Sequence, residues 1–172
     1  MTRYNKFPLE VPTFKFALTE GLPDLYLPTK GSERATGWDV RSTQDLVIKP
    51  GEYVKIPLGF RALPPEGWWL ELRPRSSTFA KKHLHALYGV IDEDYEGQCL
   101  FACQLSPNKI PLAEGGFLSE NSVEIKAGEA IGQIIPVLRQ EMEVVKLSNE
   151  ELDREYQKRN TSRGAGGFGS TG

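Results

Sequence analysis

The run Gly89-Val90-Ile91-Asp92-Glu93-Asp94-Tyr95-Glu96-Gly97-Gln98 sets three consecutive acids between an apolar lead-in and a turn glycine. The segment after it, residues 99–105, is apolar again, so the stretch reads as a hairpin with carboxylates at its bend. In extended backbone successive side chains alternate faces, which puts Asp92 and Asp94 on one face and Glu93 on the other. A carboxylate on the inner face can orient and deprotonate a water, the work of a general base. Most acidic turns only keep a hairpin end solvated. This one stands out through its neighbour Tyr95 and through four other polar sets along the chain.

Pro74-Arg75-Ser76-Ser77 places a guanidinium and two hydroxyls at the end of an expected strand, a grouping that can hold a pyrophosphate. The run from Arg163 to Gly172, Arg-Gly-Ala-Gly-Gly-Phe-Gly-Ser-Thr-Gly, has the composition of a flexible linker. Its chemistry is more specific than that. Arg163 suits bidentate phosphate contact and Phe168 can stack on a base, while the glycines let backbone N–H groups crowd phosphate oxygens. Lacking a Gly-Lys-Ser/Thr ending and a strand-to-helix context, it is neither a P-loop nor a dinucleotide fingerprint. Gly37-Trp38-Asp39 and Gly132-Gln133 complete the set. His83 and His85 can share a strand face, but two ligands without a third make a poor metal site.

These groups need a scaffold, and 172 residues suffice for one buried core. At 26% charged and 39% hydrophobic the composition is that of a globular protein. A net charge of −2 gives no attraction to a polyanion, which argues against nucleic acid and anionic membranes as partners. No apolar run approaches the ~20 residues of a membrane span, and the first residues lack a signal-peptide core, so a cytoplasmic location is expected, the host cytoplasm if the source is viral. Cys99 and Cys103 lie four apart in an expected strand, roughly 13 Å along it, and are expected as unpaired, reduced, buried thiols.

Short apolar or alternating runs at 14–18, 46–48, 53–58, 68–72, 87–91, 99–105, 123–125 and 131–138 alternate with Gly and Pro punctuation, which predicts an all-β sandwich or jelly roll. In 53–58, Val54, Ile56 and Leu58 fall on one face. Residues 99–105 are apolar on both faces and so need cover twice, the second time naturally from another subunit. Residues 106–122, with two prolines and a Gly pair, read as a long loop. Ser148 and Glu151 form a capping box ahead of 152–158, the one helix expected.

Taken in order, the five polar sets resemble the five motifs of the homotrimeric dUTPase (deoxyuridine triphosphatase) family, over about residues 13–172. The match of the C-terminal run is the most specific. The resemblance implies an all-β jelly roll, a distorted β-barrel with one short helix and a mobile Gly-rich arm. It divides the chain into a core (1–146), a helix and linker (147–160) and the arm (161–172). It implies hydrolysis of dUTP to dUMP and pyrophosphate by water attack on the α-phosphorus. Asp92 would be the general base and Arg163 the γ-phosphate and transition-state clamp. Arg75, Ser76 and Ser77 would bind phosphates, and Tyr95 would exclude a 2′-hydroxyl. Ile91, Gly97, Gln133, Phe168, Gly169, Ser170 and Thr171 would complete the substrate contacts, with Phe168 stacking on uracil. Asp39 would receive a water of Mg²⁺, which keeps several waters and binds mainly through substrate phosphates. Three sites would each be shared by three chains. Two other readings share this fold: a dCTP deaminase, which lacks such an arm, and a dUTP-sensing regulator that binds a protein partner through 106–122.

Overall fold

The computed structural model describes residues 11–106, 109–111, 117–119 and 122–159. The chain divides into two compact units, Met1–Arg139 and Gln140–Gly172.

The first unit is built from antiparallel strands. Its largest sheet has five, in the order β2 (Thr29–Lys30), β3 (Trp38–Arg41), β14 (Ala130–Leu138), β7 (Trp68–Pro74), β9 (Gly89–Ile91). A second sheet joins β5 (Tyr53–Pro57), β10 (Leu100–Leu105) and β8 (Leu84–Ala86). Two-stranded pairs complete it: β1 (Lys15–Leu18) with β6 (Phe60–Leu63), β4 (Leu46–Ile48) with β13 (Val123–Ile125), and β11 (Lys109–Pro111) with β12 (Phe117–Ser119). Most pairings join strands distant in sequence, as in a jelly roll, and all are antiparallel.

The buried faces of these sheets meet in one core. Val40, Leu70, Leu72 and Ile134 enter it from the five-stranded sheet and Ile56, Phe101 and Cys103 from the three-stranded one. The alternation in β5 holds, with Ile56 buried and Tyr53 and Lys55 exposed. In β10 the odd-numbered residues face the core, while Leu100 is 40% exposed on the other face. Cys99 and Cys103 are buried and unpaired, and burial pushes both thiols up to about 11.

Four expectations are corrected. The acidic stretch is not a hairpin, because β9 pairs with β7 while β10 pairs with β5 and β8; residues 92–99 form a corner between two sheets. A second helix, α1 (Ser76–Ala80), follows β7 directly, too short to leave a periodic signal. The 106–122 segment contains the β11–β12 pair rather than loop alone. Finally, His83 precedes β8 in left-handed backbone (φ 52°), and only His85 lies in the strand, edge-on to the Phe79 ring at 5.1 Å.

In the second unit, α2 (Asn149–Arg159) starts at the expected capping box. The Ser148 N–H donates to Glu151 Oε2 at 2.8 Å and the Glu151 N–H to Ser148 Oγ at 3.2 Å. These two bonds hold the Glu151 carboxyl below the usual carboxylate range.

Candidate active site

Strands β3, β14 and β7 lie side by side, and this register gathers three of the polar sets. Gln133 on β14 is opposite Asp39 on β3 and Arg73 on β7. Its Nε2 donates to the Pro74 carbonyl at 3.4 Å, two residues past Arg73's neighbour Leu72 along the same strand. Just beyond Pro74, Arg75 turns back and places Nε 3.2 Å from Asp39 Oδ1. Asp39, Gln133 and Arg75 thus form one cluster from residues up to ninety-four positions apart in the chain. Gly37 belongs to it for a steric reason: a Cβ there would collide with Gln133 Oε1.

Arg75 is the N-cap of α1, so Ser76 and Ser77 occupy its first turn, next to the cluster. The helix is fixed by Thr78, fully shielded from solvent, whose hydroxyl donates to the Ile131 carbonyl at 2.6 Å. The Arg75 side chain is 40% exposed and that of Asp39 18%, which leaves the guanidinium fork an open edge for an incoming anion.

The acidic corner is a separate site. Asp92–Tyr95 is a β-turn closed by the Tyr95 N–H to the Asp92 carbonyl at 3.2 Å. Strand alternation therefore does not govern where its acids point. Asp92 and Asp94 are exposed, and both line a cavity of about 400 Å³ with Trp68, Trp69, Val90, Glu93 and Arg139. Tyr95 folds its ring back over Gly97 and donates its hydroxyl to the Gln98 carbonyl at 3.1 Å. Any Cβ on Gly97 would strike that ring, which ties Gly97 to the placement of Tyr95. Ile91 is buried in the core, so its backbone is the part available to a ligand.

The carboxylate anchoring this corner is one that motif spacing did not single out. Glu93 Oε2 accepts from the Gly67 N–H at 2.8 Å and from Arg139 Nη1 at 2.9 Å.

The cluster and the corner sit at opposite ends of β7. Ile91 pairs with Leu70, so Asp92 lies toward Trp69, whereas Arg75 follows the other end, about six residues or ~20 Å away at strand rise. Arg163, Phe168, Gly169, Ser170 and Thr171 lie outside the described residues. Among the described residues no three His, Cys, Asp or Glu side chains gather as a metal cage, and no helix is long and apolar enough to cross a membrane.

The fold is an antiparallel jelly roll that presents a guanidinium and two hydroxyls at one end of β7 and a turn-borne carboxylate at the other. The sequence model of the dUTPase family matches residues 24–114. The deoxyuridine 5′-triphosphate nucleotidohydrolase of Caulobacter vibrioides is 33% identical over 164 residues, covering 92% of this chain and 93% of the relative. That of Nautilia profundicola is 36% identical over 150 residues, covering 85% and 90%. In fold, the chain is similar to the dUTPase of Staphylococcus bacteriophage 80alpha solved with dUPNHPP, at a TM-score of 0.72 and 24% identity, covering 93% of this chain and 98% of that one. The chain belongs to the dUTPase family.

Proposed function

We propose that this chain is a dUTP diphosphatase that hydrolyses dUTP to dUMP and pyrophosphate. The observation that carries the reading is the convergence of Asp39, Arg75 and Gln133 at one strand end, in a member of this family. Arg75, Ser76 and Ser77 hold phosphate oxygens, and Gln133 adds an amide donor beside them. Asp92 orients and deprotonates the water that attacks the α-phosphorus, Tyr95 closes the sugar side against a 2′-hydroxyl, and pyrophosphate leaves. Arg163 clamps the γ-phosphate in the transition state, with Phe168 on the uracil and Gly169, Ser170 and Thr171 on the phosphates.

Mg²⁺ fits the donors present. Asp39 bonds Arg75 through Oδ1, and Oδ2 is a hard oxygen acceptor suited to a water of the ion's shell. When bound, Mg²⁺ neutralises triphosphate charge and helps pyrophosphate leave.

A general base must come within about 3 Å of its water, and Asp92 and Arg75 of one chain are ~20 Å apart. A homotrimer with shared sites resolves this: Asp39, Arg75 and Gln133 from one chain, Asp92 and Tyr95 from a second, the arm from a third. The outward-facing Leu100 on β10 supports the same reading, as a side chain that a neighbouring subunit covers.

The test is Mg²⁺-dependent pyrophosphate release across dUTP, dCTP, dTTP and UTP. We expect turnover of dUTP alone and a loss of about 10²- to 10⁴-fold in Asp92→Asn, the range of general-base catalysis. Ammonia from dCTP would instead mark a deaminase. The β11–β12 pair gives the regulatory reading a physical element. If it docks a protein partner, deleting 106–122 spares turnover and abolishes that binding.

A further inference from the structure

We infer that Glu93 is a positioning residue for the hydrolysis, fixing the turn that carries Asp92; this rests on the reading of Asp92 as general base.

Three chain segments close on the Glu93 carboxylate. Oε2 takes the Gly67 N–H from the turn between β6 and β7 at 2.8 Å, and Arg139 Nη1 from the end of β14 at 2.9 Å. The other two are themselves joined, since the Arg139 N–H donates to the Gly67 carbonyl at 2.7 Å. The turn at Gly67 is closed independently by the Trp68 N–H to the Pro65 carbonyl at 3.0 Å. Glu93 therefore binds a preformed donor pair, and charge-assisted bonds of this kind are about twice as strong as neutral ones.

The corner needs such a tie. Asp92, Glu93, Asp94 and Glu96 stand within five consecutive positions. Like charges so close push a turn apart unless a cation lies among them. Arg139 lines the same cavity as Asp92 and Asp94 while bonded to Glu93, and supplies that cation. The far side of the corner is held by Arg61 Nε to the Glu96 carbonyl at 2.6 Å, a bond to backbone that leaves the Asp92 end to Glu93. Asp92 adjoins Glu93 directly, so a shift of one carries the other. A misplacement of about 1 Å in a catalytic geometry costs roughly 10²-fold in rate.

Steady-state kinetics on dUTP with Glu93→Ala, Glu93→Gln, Arg139→Met and Asp92→Asn tests this. Glu93→Ala should lower kcat by about 10- to 100-fold and change KM by much less, because the base moves while the phosphate site on another chain is untouched and Tyr95 keeps its own tie to the Gln98 carbonyl. Glu93→Gln keeps an oxygen for the Gly67 N–H and should fall between Glu93→Ala and the parent. A Glu93→Ala protein with full kcat beside an inactive Asp92→Asn overturns the inference, and so does an equal change in kcat and KM, the mark of general loosening. If Glu93→Ala does not fold, Arg139→Met decides, with unchanged kcat counting against. An active Asp92→Asn would remove the base assignment itself, and this inference with it.

Discussion

The Thr78 hydroxyl ties the short helix α1 to the sheet. Its 2.6 Å bond to the Ile131 carbonyl, made out of contact with solvent, joins α1 to β14 and so holds Ser76 and Ser77 beside Gln133. Replacing it with the isosteric Val removes the shorter of two bonds to the Ile131 carbonyl and leaves it the 3.5 Å bond from the Arg75 N–H, a cost of about 1 kcal/mol. We expect Thr78→Val to lower Tm and raise KM for dUTP, and Thr78→Ser to restore most of the KM. The thiols give a second prediction. Cys99 and Cys103 rise from 9.0 in the unfolded chain to about 11 when folded. Between those values the unfolded chain has already lost protons that the folded one keeps. Stability from these groups is therefore full below pH 9 and falls as pH climbs to 11, by on the order of 3 kcal/mol per thiol at 1.36 kcal/mol per unit. Denaturation midpoints measured from pH 8 to 11 should show that fall, and the double Cys→Ala variant a shallower one. Sequence reading reached the thiols because the run 99–105 is apolar on both faces, which calls for a buried strand. It did not single out Glu93, whose partner Arg139 is forty-six positions away and visible only after folding.

The elements were legible where a local rule decides them. Strand β5 shows because Val54, Ile56 and Leu58 repeat every second residue, and α2 because Ser148 and Glu151 cap each other. That cap has a pH dependence whose sign follows from Glu151. Its carboxyl is held below the usual range by the Ser148 N–H and hydroxyl, so the stabilisation is present above its ordinary value and is lost as pH falls through the depressed one. Protection factors of the amides at residues 149–152, the intrinsic exchange rate at each pH divided by the observed one, should fall on acidification. Ser148→Ala should reproduce the effect at neutral pH. Helix α1 escaped because Ser76-Ser77-Thr78 are indifferent helix formers and five residues show no period. The corner at 92–97 resembled a hairpin because turn chemistry reports a reversal and not which strand receives the chain afterwards.

At the scale of the molecule, the jelly-roll class was readable from the number and spacing of short strands, but the sheet each strand joins was not, since pairings such as Lys15 with Leu63 are set by the whole core. The same holds for the candidate site: Asp39, Arg75, Asp92 and Gln133 stand out in the sequence as motif residues, whereas the separation of Arg75 from Asp92 along β7 does not. That separation makes complementation the decisive whole-molecule experiment. Chains carrying Asp92→Asn mixed with chains carrying Arg163→Ala should regain part of the pyrophosphate release that neither has alone. No recovery after subunit exchange would rule out sites shared between chains. The separation also has a genetic consequence. In the shared-site trimer proposed above, a chain with one lesion would spoil only the site to which it lends that residue, so an equal mixture with parent chains would keep about half its activity, and the defect would be recessive in proportion to dose. A chain defective at Arg75, Asp92 and Arg163 together spoils every site it touches, leaving about one-eighth in the same mixture. Under that proposal, distributing a site along a strand would make dominance a matter of how many lesions one allele carries, not of how severe each is.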